Sequence, residues 1–176
     1  MPKVKEVTVN IGVKDVFSIS GTFVPNKNEE EAAWELYVEL ITRITVVKLK
    51  KDKGFLREAL NSYHSLFKTT RGIMREKGPD LARPKSSSKI TLGLIAVSVL
   101  NYVLRPLLTE WHPILEDYES TRPKNLSRKA HEDKWENNKD LRDKIAETRE
   151  TLLHYAQLLA DIAKVEPIHI VPAPLT

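Results

Sequence analysis

Residues Ile90–Leu108, ITLGLIAVSVLNYVLRPLL, decide the fold, because they are apolar almost all the way round and yet carry Asn101, Arg105 and Pro106. A helix that is apolar on every side has to be covered on every side. The run therefore predicts the central helix of a bundle, with its polar groups satisfied by neighbouring elements. A membrane span, which takes about 20 predominantly apolar residues, is the competing reading. Lys89 precedes the run, Asn101 and Arg105 interrupt it, and the other helices are amphipathic with charged outer faces, so a core helix and no membrane association are expected.

Working outward, Leu81–Ser88 is a loop containing proline and serines, one of which is expected to cap a helix over 88–118. Pro106 removes a backbone hydrogen bond, which predicts a kink or division near Leu104–Arg105, and Pro113 adds a second disturbance. Upstream, Leu56, Leu60, Tyr63, Phe67, Thr70 and Met74 recur at four- and three-residue steps, giving a helix over 54–77 that Gly78-Pro79 ends. Ala33, Tyr37, Leu40, Ile44 and Val47 repeat that spacing over 29–49. Asn26 or Asn28 is the candidate cap, and Glu29, Glu30 and Glu31 complement the dipole. Downstream of a polar connection, Leu141, Ile145, Thr148, Leu152, Tyr155, Leu159 and Ile162 mark a final helix over about 130–165.

The N-terminal segment 1–25 reads as β. Val4–Ile11 alternates, Val16–Val24 is rich in β-branched and aromatic residues, and Gly12-Val13-Lys14-Asp15 supplies the turn. A lone hairpin is marginal in water, so it must pack on helices, gain a strand or pair with another chain. Ile168-His169-Ile170-Val171 is one candidate strand, and the Pro-rich end 166–176 reads equally as an extended tail. The expected architecture is mainly α: an up-and-down four-helix bundle with an N-terminal β-hairpin, one domain over 1–176.

Composition narrows the chemistry. The 176 residues include no cysteine, which removes thiolate catalysis, disulfides and cysteine-ligated metals and fits a reducing, cytoplasmic location. The N-terminus has no signal-peptide pattern. A net charge of +4 from 28 basic and 24 acidic residues is small against the total, so its meaning lies in clusters such as Arg122, Lys124, Arg128 and Lys129. His64, His112, His131, His154 and His169 show no metal-ligand spacing, and no GxSxG, P-loop or GxGxxG pattern occurs. No metal, cofactor or catalytic residue is expected.

The candidate ligand-binding residues are Arg105, Asn101 one turn earlier and His112 beyond the proline. Arg105 is always charged. If it faces the core it needs a carboxylate such as Glu35, Glu39 or Glu110, and the alternative is an anchor for an anion beside the kink. The pattern points to a non-enzymatic interaction or accessory protein that assembles with itself or a partner protein and senses a small anionic ligand. The alternative is a nucleic-acid-binding accessory subunit using basic loops, with Trp135 or Tyr63 stacking on bases.

Overall fold

The computed structural model describes residues 5–43, 49, 53–85 and 87–168. Among the described residues the chain is mainly helical, with five helices and a two-stranded N-terminal hairpin. Strands β1 (Val7–Val13) and β2 (Phe17–Phe23) pair antiparallel from Val7 opposite Phe23 to Val13 opposite Phe17. The turn falls at Lys14–Val16, later than the Gly12–Asp15 reading, because Gly12 and Val13 stay paired in the ladder. Asp15 takes the left-handed conformation at φ 61°, which Asp tolerates, and the Val16 amide closes the turn on the Val13 carbonyl at 3.0 Å. Alternation sends Val7, Val9 and Ile11 into the core and leaves Thr8 and Asn10 outside. Ile168 donates its amide to the Tyr37 hydroxyl at 2.7 Å, on the first helix; His169–Val171 lie outside the described residues.

Helix α1 (Lys27–Ile41) is opened by Asn26, whose side chain accepts the Glu29 amide at 2.8 Å while Glu29 returns a bond to the Asn26 amide at 2.9 Å. It ends at Ile41, short of the expected 49. Thr42 is the C-cap, with both its amide and its hydroxyl on the Val38 carbonyl. Ile44 and Val47, which suggested the longer helix, lie outside the described residues. Helix α2 (Leu56–Lys77) closes as expected at Gly78, where φ is 80° and the amide bonds Met74. A single 3₁₀ turn over Pro79–Ala82 then brings Leu81 into the core.

The long helix α3 (Leu92–Ser120) begins later than expected, and its cap is Thr91, whose hydroxyl accepts the Leu94 amide at 3.1 Å. Ser88 instead accepts the Ile90 amide in the loop. Glycine is required at position 93, where a Cβ would sit 2.7 Å from the Leu81 carbonyl oxygen. Pro106 does not divide the helix. Residues Leu100–Leu104 widen into a π turn, in which the Arg105 amide reaches back to the Leu100 carbonyl, and the helix resumes. Proline has no amide to give the carbonyl four residues back and its ring crowds it, so the wider turn absorbs the mismatch without a break.

By length and composition α3 is long and apolar enough to cross a membrane, and 56% of its apolar window is buried inside the fold. The polar connection holds a short helix α4 (Arg128–Asp133), capped by Ser127, and α5 (Asn138–Ala163) follows. All seven seam residues of α5, Leu141 to Ile162, are buried. Helix α1 packs against α5 and α2, α2 against α3, and β1 against α5, so the hairpin and helices share one core cluster.

That core leaves one face of α3 uncovered. Leu94, Val97 and Tyr102 are 44%, 42% and 48% exposed, contrary to the full enclosure expected of a helix apolar on every side. Tyr102 leans against Phe17 of the hairpin, ring centroids 5.3 Å apart. The hairpin thus shields an edge of this face and not its centre.

Candidate functional site

Helices α2 and α3 run antiparallel, and a polar seam follows their contact. Near one end Arg105 lies over the Phe67 ring at 5.1 Å; further along, His64 and His112 meet edge to face at 6.2 Å. At the other end Arg57 donates through Nε and Nη2 to Glu119 Oε2 at 3.0 and 2.8 Å.

Arg105 does not face the core. It is exposed, and its Nε and Nη2 both donate to Asn101 Oδ1 at 3.2 and 3.1 Å. The core-facing positions of this stretch are the apolar Leu100, Val103, Leu104, Leu107 and Leu108. Arg105 therefore lays its guanidinium over the Phe67 ring and keeps it open to water. Of the three carboxylates offered as partners, two are engaged elsewhere, Glu35 with Lys77 at 2.9 Å and Glu39 with Arg43. Asn101 and Arg105 are thus joined to each other, while His112 belongs to a different cluster.

In that cluster Arg57 Nη1 lies 2.8 Å from His112 Nδ1. A guanidinium can only donate, so Nδ1 is the acceptor and the imidazole is neutral, with its proton on Nε2. Burial, then the Arg57 charge and His64, hold the His112 pKa below the ordinary histidine value, against the opposing pull of Glu116 and Glu119. Glu119, Arg57 and His112 form a relay of contacts from the surface towards the middle of α3.

Beyond Glu119 the seam opens into a cavity of about 240 Å³ between the start of α2, the end of α3 and α4. Phe55, Leu115, Tyr118 and His131 supply its flat and apolar walls; Glu119, Arg122, Arg128 and Glu132 supply charge. The walls are packed on one another. Tyr118 stacks on His131 at 4.1 Å and on Trp135 at 5.3 Å, its hydroxyl donates to the His131 carbonyl at 2.7 Å, and Trp111 packs edge-on against Trp135. Glu132 is buried, with Oε2 accepting the Leu56 amide at 3.0 Å and Oε1 accepting from Arg142 Nη2 at 3.2 Å. Burial raises its pKa above the usual carboxylate value, outweighing the opposite effects of the Leu56 amide, Lys129 and Arg142.

This cavity was not legible as a site in the sequence. Arg122 and Arg128 stood out as loop charge, but their aromatic partners Phe55 and Tyr118 arrive from other elements. Tyr63 and Trp135, the residues suggested for base stacking, are buried in the core and present no ring face to a nucleic acid. Among the described residues no group of three or more His, Asp or Glu side chains converges to hold a metal ion. No family model, curated protein or solved structure matches the chain.

Proposed function

We propose that this chain is a non-enzymatic interaction module, an up-and-down bundle of its four long helices α1, α2, α3 and α5, that assembles with a second copy or a partner protein through the outer face of α3. The observation that carries this reading is the exposed apolar group of Leu94, Val97 and Tyr102 on a helix whose apolar window is otherwise largely taken up by the core. Single exposed apolar residues are ordinary on any surface. A group of them on one helix face, beside Phe17 and the exposed Val16 of the hairpin, has the character of an interface centre. Each of the three side chains is about half covered already, so completing its burial contributes roughly 1 kcal/mol per residue.

Light scattering on the size-exclusion eluate, at low and high salt and with a mixed-sequence oligonucleotide, tests the reading. An apolar contact barely responds to salt, whereas phosphate contacts weaken steeply. The expected result is a salt-insensitive assembly that Leu94→Glu with Val97→Glu dissolves without loss of helical content. A monomer that shifts with oligonucleotide only at low salt overturns it and assigns the function to the basic loops.

A further inference from the structure

We propose that the cavity between Phe55, Tyr118 and His131 is a binding site for a small organic carboxylate carried on a flat, apolar body. The charge comes from an imbalance among the side chains that line it. Both acids at the cavity are already neutralised by groups that are not part of its lining: Glu119 by Arg57, Glu132 by Arg142 and the Leu56 amide. Both cations are not. Arg122 donates from Nη1 to the Leu126 carbonyl at 2.6 Å, and Arg128 lies over the Phe55 ring at 5.0 Å, and neither pairs with a carboxylate among the described residues.

Two exposed guanidiniums therefore stand at the mouth of a concave, aromatic-walled space with their charge uncompensated. A guanidinium presents a planar fork of donors that matches a carboxylate, and Arg128 can turn from Phe55 to such a ligand by side-chain rotation alone. The walls select the rest of the molecule. Phe55 and the Tyr118–His131 stack offer flat apolar surface, and Leu115 adds an aliphatic contact, which suits a ring or a short branched chain over a hydrated ion. A space of about 240 Å³ holds a fragment of that size and is smaller than the pockets that take drug-sized ligands. This site is separate from the α3 stripe, and its failure or success says nothing about assembly.

Amide-detected NMR titration of the full chain with phenylacetate, phenylacetamide and acetate tests the proposal. Phenylacetate is expected to bind with a dissociation constant of about 1 mM or tighter and to perturb amides around Phe55, Tyr118 and Arg122–Glu132. The neutral amide and the ringless acetate are each expected to bind at least about tenfold more weakly, since one lacks the charge and the other the apolar body. Arg122→Gln with Arg128→Gln weakens phenylacetate at least about tenfold, while Arg105→Gln, outside the cavity, leaves it unchanged. No perturbation at about 10 mM phenylacetate overturns the site. Equal binding by phenylacetamide in the unmodified protein overturns the carboxylate assignment however the variants fold, and loss of binding in Arg105→Gln overturns the assignment of the charge to Arg122 and Arg128.

Discussion

Glu132 caps a helix to which it does not belong: its Oε2 accepts the amide hydrogen of Leu56, the first residue of α2, across 76 positions of sequence. Phe55, which occupies the capping position itself, has no side chain able to accept that bond. Glu29 does the same for α3, taking the Leu92 amide on Oε1 at 3.2 Å while its other oxygen holds Asn26 and Lys85. Helices α2 and α3 therefore each start on a buried glutamate supplied by another element, which ties α4 to α2 and α1 to α3.

Replacing Glu132 tests the first of these ties. Glu132→Ala leaves the Leu56 amide and the Arg142 guanidinium facing a buried gap, and the expected loss is about 3 kcal/mol in urea unfolding. Glu132→Gln keeps an acceptor and is expected to lose only about 1 kcal/mol. The smaller loss follows from the direction of the Glu132 pKa, which shows that burial already favours the uncharged side chain. Equal losses for the two variants would show that the negative charge, and not the acceptor, holds α2.

His112 is expected to make stability fall towards acid pH. Its folded-state pKa is below the unfolded value, so between the two the unfolded chain binds more protons. The contribution of neutral His112 is complete above about pH 6.5 and is lost as the pH falls through the folded pKa. The structural causes are burial first and then Arg57, which has no acceptor on a protonated Nδ1 and meets a like charge in its place. The urea midpoint of the unmodified protein is expected to drop more between about pH 7.5 and pH 5.5 than that of His112→Gln. Parallel pH profiles would remove His112 from this role.

The regular seams were legible because their signal is local. Leu141 to Ile162 and Leu56 to Met74 repeat over many turns, and no distant partner is needed to read them. What failed depends on groups far apart in the chain. The uncovered face of α3 is invisible in an all-apolar run, because its composition is the same on the buried and exposed sides. Glu29 reads as an ordinary first-turn acid until Leu92 and Lys85 are seen to meet it. Arg105 reads as a charge set in an apolar run, and the sequence does not show the Phe67 ring over which it lies at the surface.

Gly93 is the point where α3 meets the 3₁₀ turn most closely. Adding one methyl brings it against backbone, the Leu81 carbonyl oxygen at 2.7 Å, which cannot swing aside as a side chain would. Gly93→Ala gains in helix propensity by up to about 1 kcal/mol and still has to separate two packed backbones, which costs about 1–3 kcal/mol. The expected net result is a lower melting temperature. Gly72→Ala is the matching control, since nothing lies within 4 Å of an added Cβ there, and it is expected to raise the melting temperature. A rise in both variants would mean that the 3₁₀ turn yields freely.

Tyr155 carries its hydroxyl into the core of α5 for no visible return. The side chain is 3% exposed, and the oxygen has no hydrogen-bond partner among the described residues. Burial accordingly raises its pKa far above the ordinary phenol value. An unpaired buried hydroxyl costs about 1–3 kcal/mol, and phenylalanine fills the same ring volume without it. Tyr155→Phe is therefore expected to stabilise the fold by about 1 kcal/mol, a rise of roughly 2–4 °C in melting temperature for a chain of this size. Tyr63 is the internal comparison, because its equally buried hydroxyl donates to the Ile145 carbonyl at 3.4 Å. Tyr63→Phe gives up that long bond while the Ile145 carbonyl keeps its intrahelical partner, so it is expected to be neutral or slightly destabilising. Calorimetry on the two variants separates the cases: a loss of stability in Tyr155→Phe as large as that in Tyr63→Phe would show that the Tyr155 oxygen is bonded in solution.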